Sequence, residues 1–312
     1  MANANLPVYP NQVARLISAN GVSVREDVLY TDARGELDER SRKRAEEALA
    51  DLREVLPNLL EPKETILFVI KSCQAPMGTL EQLFMGWYAY RVTATRLVFT
   101  NFRLLHFGVT ASSKWNHVLK TVRWGDVAEA KLKGWLNRLL VVQCADGKTE
   151  KYWRLRRKDS QKAKAVANAV LPASHGEATS ARGFQSLCPE CRGALAAGNY
   201  QCAGCGLKFK DEKSLLWRTV LIPGGGYFYA RIPFLGVLAF FTEGIFTIGL
   251  ILSLVIAAGL MPPGTAEDGR PMQPGDFWGA VVLLLVLLAL HKGLNYIHCR
   301  RVIRNFLPIK KQ

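Results

Sequence analysis

Four cysteines carry the most specific chemistry in the chain: Cys188, Cys191, Cys202 and Cys205, in the stretch CPECRGALAAGNYQCAGCG (188–206). Thiolates are soft donors, and each Cys-x-x-Cys turn presents two sulfurs to one ion. Ten residues separate the pairs, enough for a short β-hairpin. Pro189 fixes the first turn, and Gly204 and Gly206 let the second approach closely. Four thiolates fill a tetrahedral shell, whereas a catalytic zinc keeps one position open and usually takes histidine or carboxylate ligands. The expectation is therefore a structural zinc. A redox Cys-x-x-Cys and an iron–sulfur centre are the alternatives, and two pairs at this spacing favour zinc.

A second candidate is a basic cluster, Lys148, Lys151, Arg154, Arg156, Arg157, Lys158, Lys162 and Lys164, with Tyr152 and Trp153 inside it. Such a face suits acidic lipid headgroups or a protein partner; a plain solvated face would look the same. Glu243 is the third, the one acid within the apolar run 232–260. Intramembrane carboxylates are functional candidates by default, although a span beginning near 240 would put Glu243 at the interface. The five histidines, at 106, 117, 175, 291 and 298, show no ligand spacing, and Pro223–Gly226 lacks the Lys and Ser/Thr of a phosphate-binding loop. The expectation is that the chain is not an enzyme. Around the cysteines the charge is close to neutral and the only aromatic between the pairs is Tyr200, which disfavours nucleic acid.

Charge narrows the partner. The 312 residues carry a net +15, unevenly spread: −3 over 1–62, +12 over 63–172, +1 over 173–216 and +5 over 217–312. A basic excess points to an anionic partner, either acidic membrane or nucleic acid. Cys73 and Cys144 sit in apolar stretches and read as buried small hydrophobes; Cys299 gets no role. An odd count with metal spacing argues against a disulfide framework and for a reducing compartment. The start, MANANLPVYP, reads as no export signal.

These residues need elements to position them. Residues 1–62 read as a helical N-terminal region: a short pattern at Val13, Leu16 and Ile17 ends at Asn20-Gly21. A second helix, capped by Asp38, runs through Ala45, Ala48, Leu49, Leu52, Val55, Leu56 and Leu59. Residues 63–172 read as antiparallel strands, with turns at Thr100-Asn101 and Asp146-Gly147, then a helix capped by Asp159 and closed by Pro172. Residues 173–187 read as a linker, 188–214 as the metal module, and 215–312 as two membrane spans with a basic tail. The run 232–260 fits one tilted span, or an interfacial helix followed by a span from about 240; the second span is 277–297, with Lys292 snorkelling near its end. Basic residues flank both spans, while loop 261–276 holds only Arg270, so the positive-inside rule puts both termini and the soluble parts in the cytoplasm.

Three stretches resemble known families. TRLVFTNFRLLHF, VRWGDVAEAKL, the Asp-Gly hairpin and the closing helix are similar, over about 110 residues, to bacterial pleckstrin-homology and GRAM-like domains. That resemblance implies a seven-stranded bent sheet with a C-terminal helix, binding proteins or lipids and seldom catalysing. Residues 188–206 resemble a minimal zinc ribbon. Pro223 to Tyr229 resembles the P-G-x-G-x-x-Y signature of small bacterial two-helix membrane hairpins.

The expected fold class is a multidomain α+β membrane protein: N-terminal helices, a pleckstrin-homology-like β-barrel with its C-terminal helix, a zinc ribbon and two transmembrane helices. The expected function is a bacterial inner-membrane adaptor or scaffold that binds a protein or the acidic membrane surface. The alternatives are an oligomeric hairpin forming a small-solute or ion pathway, with Glu243 inside a homo-oligomer, and a membrane-tethered nucleic-acid binder.

Overall fold

The computed structural model describes residues 16–19, 21–75, 93–110, 114–134, 138–174, 183–264 and 273–309. The chain divides into two compact units, Met1–Leu207 and Lys208–Gln312.

The first unit begins with a hairpin rather than a helix. Strand β1 (Leu16–Ala19) pairs antiparallel with β2 (Val22–Arg25), Ala19 opposite Val22. Asn20-Gly21, expected to end a helix, is also a hairpin turn signal, and the β-branched residues Ile17, Val22 and Val24 beside it favour strand. Val13 lies outside the described residues. Helix α1 (Glu26–Leu29) follows, then α2 (Glu39–Ala50) and α3 (Leu56–Leu59). Asp38 caps α2 as expected, its Oδ1 accepting from Arg40 N at 3.2 Å and its Oδ2 from Ser41 Oγ at 2.9 Å.

Seven antiparallel strands come next: β3 (Ile66–Gln74), β4 (Ala94–Thr100), β5 (Arg103–Val109), β6 (Trp115–Arg123), β7 (Val127–Lys133), β8 (Arg138–Cys144) and β9 (Thr149–Leu155). Helix α4 (Arg157–Ser174) closes the series, running two residues beyond Pro172. Strands β10 (Gln185–Leu187) and β11 (Ala194–Leu195) complete a sheet of order β11-β10-β6-β5-β4-β3-β9-β8-β7, with β2 parallel to β3 at Val24–Ile66. A register shift in β3 between Ile70 and Cys73 bends that strand, which among the described residues pairs with β9 at Gln74–Trp153, and the sheet curls into a half-barrel.

Both faces of the central strands are covered, because successive residues point to opposite sides. Ile70, Leu97, Phe99 and Leu104 pack with Ala163, Val166, Ala167 and Val170 of α4. Val69, Val98, Leu105 and Phe107 pack with Leu49 and Leu52 from α2 and its C-terminal continuation. The N-terminal region is thus a layer of the same core. The Thr100-Asn101 turn is bolted to the chain before β3. Thr100 Oγ1 donates to Glu64 at 2.7 Å, Asn101 Oδ1 accepts from Thr65 N at 2.8 Å, and Arg103 donates to both Glu64 oxygens at 2.8–2.9 Å and to Leu59 O at 2.9 Å.

The second unit holds α5 (Glu212–Leu221), α6 (Gly225–Tyr229), α7 (Pro233–Ala257) and α8 (Phe277–Ile303). Helix α7 is continuous, and α8 extends past residue 297. Both are long and apolar enough to cross a membrane, at 25 and 27 residues, against a need for about 20. The ends of the unit meet: Lys210 N donates to Leu307 O at 2.9 Å and Ile309 N to Lys208 O at 3.1 Å, with Phe209 bridged to Pro308.

Glu64 is fully buried against Arg103. Its truncation leaves the buried guanidinium with Glu61, at 3.5 Å, as its remaining carboxylate, and loss of the close partner of a buried pair costs about 3 kcal/mol. Glu64→Ala is expected to lower the unfolding free energy of the detergent-solubilised chain by that amount, and Glu46→Ala, at an exposed helix pair with Arg42, by less than about 0.5 kcal/mol. Similar denaturation midpoints for the two variants would refute the assignment.

Candidate functional site

The four sulfurs of Cys188, Cys191, Cys202 and Cys205 all lie within 4.8 Å of one another. Cys188 and Cys205 are 3.6 Å apart and Cys191 and Cys202 3.4 Å, too far for disulfides and close to the roughly 3.8 Å edge of a tetrahedron with 2.3 Å metal–sulfur bonds. The two halves repeat at a spacing of fourteen residues. Cys188 N donates to Gly193 O and Arg192 N to Cys188 O, at 2.9 and 3.0 Å; Cys202 N donates to Leu207 O and Gly206 N to Cys202 O, both at 2.9 Å. Arg192 and Gly206 hold matching left-handed backbones, φ 62° and 75°. The N–H groups of Cys191 and Glu190 point at the Cys188 sulfur, and those of Cys205 and Gly204 at the Cys202 sulfur. Burial pushes the Cys188 thiol up to about 12. Burial opposes ionisation of Cys202 too, but its donors bring that thiol down to about 7. A bound cation would convert the set to thiolates.

The module is not a bead on a linker. Gln185–Leu187, read as the end of a linker, form β10, which pairs with β6 at Gln185–Thr121 and Ser186–Lys120. Leu187, next to Cys188, is buried among Val98, Leu105 and Leu119. The first cysteine pair therefore starts from a strand of the main sheet.

Glu243 is enclosed by protein. It is 1% exposed, inside the second unit. Its Oε2 accepts from Lys292 Nζ at 2.8 Å and Gly224 N at 3.2 Å; its Oε1 accepts from Asn295 Nδ2 at 2.6 Å, with His291 Nδ1 at 3.3 Å. Lys292 also donates to Thr219 O at 2.8 Å, so it does not snorkel away from the packing. The local sequence explains the arrangement. In a continuous helix Thr219 O would accept from residue 223, but that residue is Pro223 and has no N–H. Lys292 supplies the missing donor, and Glu243 accepts the Gly224 N–H left over where α5 ends. The glycines serve the same break: a Cβ on Gly224 would lie 2.2 Å from Gly236 O, and one on Gly225 2.2 Å from Arg218 O. Beside this cluster Tyr227 Oη meets His298 Nδ1 at 3.0 Å. From sequence Lys292 reads only as a snorkelling cation, His291 and His298 as histidines without ligand spacing, and Asn295 carries no reading; the polar stripe at 291, 295 and 298 on one face of an apolar helix is the signal that joins them.

The basic cluster divides. Lys148, Lys151, Arg154, Arg156, Arg157, Lys158 and Lys164 are exposed, around Trp153 at 39% exposure; Lys148 pairs with Asp146 and Lys158 with Asp38, both at 3.1 Å. Lys162 does not belong to that surface. It is 2% exposed, and its ammonium meets Leu29 O at 3.1 Å and Thr31 O, over the Phe68 ring. The α4 face carrying Lys162 is the face turned toward α1, which helical periodicity alone does not reveal. Burial pulls its pKa down to about 7, opposed in part by Asp32, Asp159 and Asp38. The neutral amine keeps two N–H donors, one for each carbonyl.

Cys73, Cys144 and Cys299 are buried. His106 is buried against Tyr152, its pKa depressed by burial to about 3; His175 lies outside the described residues. No family model, curated protein or solved structure matches the chain.

Two outcomes are expected. The purified chain should carry a divalent metal in stoichiometric amount, lost in Cys188→Ser/Cys202→Ser. Cobalt substitution should give tetrahedral d–d and thiolate charge-transfer bands; strong visible absorption of the native protein would mean an iron–sulfur centre instead. Lys162 has a folded pKa of about 7 against 10.5 unfolded, so between those values the unfolded chain holds the extra proton and stability rises with pH, by up to about 1.4 kcal/mol per unit. Lys162→Met should remove that slope in denaturation series between pH 7 and 10; identical slopes would show that the lysine stays charged.

Proposed function

We propose that this chain is a membrane-anchored adaptor without catalytic activity. The half-barrel, read as a pleckstrin-homology-like domain, presents the exposed cations around Trp153 to acidic headgroups, or to an acidic protein on the same surface. The cysteine cluster is a structural zinc site of ribbon type, and α7 and α8 are an inner-membrane hairpin. Under the positive-inside rule, with Lys208, Lys210, Lys213, Arg300, Arg301 and Arg304 near its ends, both termini face the cytoplasm.

One observation carries this reading: seven cations and an exposed indole share the region of β9 and the start of α4. Each cation near an anionic surface contributes about 1 kcal/mol, and an indole suits the interface. Absence of catalysis is supported by the engagement of the buried ionisable groups. The four cysteine sulfurs have the number and spacing of a closed tetrahedral shell, and the Glu243 oxygens serve a helix break. That engagement also weakens the reading of Glu243 as part of a solute pathway.

The test uses residues 1–207, a compact unit with its own core. This fragment should bind phosphatidylserine vesicles over phosphatidylcholine vesicles. Replacing Lys151, Arg156 and Arg157 with Gln should weaken binding about 100-fold, at roughly 1 kcal/mol each. Indifference to vesicle charge would sink the lipid reading.

A further inference from the structure

We propose that residues 212–229 are a re-entrant helical segment whose outward stripe, Leu216, Trp217, Val220 and Leu221, is covered by lipid acyl chains. The proposal rests on the reading of α7 and α8 as membrane-spanning.

The stripe is the first observation. Leu216, Trp217, Val220 and Leu221 recur at the spacing of one helix face and are 45, 56, 49 and 70% exposed, while Leu215 and Thr219 on the opposite face are buried. On a helix in water, a face of this kind would be a continuous apolar patch. Ile222 beyond the stripe is exposed too, as are Phe234, Val237 and Leu238 at the start of α7, and Gly224 at the tip of the segment lies against the α7 backbone at Gly236, so the solvent of that helix is close at hand for α5.

Depth is the second. Helix α5 runs down α8 in antiparallel fashion. Glu212 accepts from Arg300 and Arg304, both at 2.7 Å; Thr219 O meets Lys292; Gly224 N meets Glu243. From Arg304 to Lys292 is about 18 Å along α8, at roughly 1.5 Å per residue. The Arg-paired end of α5 thus lies at headgroup level and its tip within the apolar length of both long helices.

Backbone satisfaction is the third. In hydrocarbon a broken helix persists only if the freed groups find partners within the protein. The carbonyl freed by Pro223 takes Lys292, and the Gly224 N–H takes Glu243. In water neither would need a buried ion pair. The segment then returns through α6, whose Tyr229 Oη accepts from Asp211 N at 3.1 Å, back at the level where α5 began.

The experiment reads Trp217 in the full chain reconstituted into vesicles. Emission of wild type minus Trp217→Phe isolates this indole. Wild type minus Trp278→Phe isolates Trp278, exposed at the start of α8, as the control for the spanning helices. Both components are expected to lose intensity with lipids brominated on the acyl chain, and the Trp217 component to resist aqueous iodide. Quenching of Trp278 alone by brominated lipid overturns the proposal and leaves the hairpin intact; iodide sensitivity of Trp217 would then mean water on the stripe, and resistance to both agents would mean a second protein chain there. Loss of neither component with brominated lipid overturns the membrane-spanning reading as well.

Discussion

A carbonyl at the end of a short helix has no partner within that helix, and burial removes water as the substitute. Among the described residues this chain meets that constraint five times with a lysine or arginine. Lys162 reaches Leu29 O at the end of α1, Arg96 reaches Ala48 O in the last turn of α2, and Arg103 reaches Leu59 O at the end of α3. Lys292 reaches Thr219 O in α5, and Lys210 reaches Tyr229 O at the end of α6. The partial negative charge of a helix C-terminus favours a cation, the more so in a partly buried site. Lys210 shows the opposing cost: burial, with Arg231 and Arg218 nearby, pulls its pKa down to about 8. Part of the net +15 is therefore internal masonry. Helices of four or five residues persist because their open ends are closed from outside.

The same economy shapes the metal module. Two Cys-x-x-Cys turns with the same hydrogen-bond pattern need only be held face to face, and β10 and β11 hold the first of them. Since β10 is also an edge partner of β6, the position of Cys188 is tied to the register of the half-barrel, with Leu187 inserted into its core. The cluster can do without a hydrophobic core of its own, because the sheet lends it one.

What could be read from sequence was what depends on neighbours in the chain. The cysteine spacing, the Asp38 cap, the Asp146-Gly147 turn, the antiparallel strands between 63 and 172 and the two long apolar helices are all local patterns, and the structure has them. Leu16 and Ile17 lie in a strand where a helix is expected, because four residues do not separate a helical from a strand period, although Asn20-Gly21 points to a hairpin. Gln185–Leu187 looked like linker because their pairing partners, Lys120 and Thr121, lie more than sixty positions away. Lys162 looked like surface because its partners are main-chain carbonyls, which leave no trace in a side-chain pattern. Pro223 with Lys292 was legible in principle: a proline four residues after Thr219 strands a carbonyl, and an otherwise apolar helix elsewhere holds a lysine.

The pairing of Lys208–Lys210 with Leu307–Ile309 has a consequence in time. About a hundred residues separate the two segments, and at 5–20 residues per second a ribosome needs roughly 5–20 s to travel between them. During that interval Phe209 lacks the Phe306 ring it later packs against and the Lys210 main chain lacks its acceptor. Closure must wait until α7 and α8 have both been made. The bridge is thus a late step of biogenesis, and a nascent chain stalled between the two helices would leave an apolar side chain and an unpaired strand edge open to other proteins.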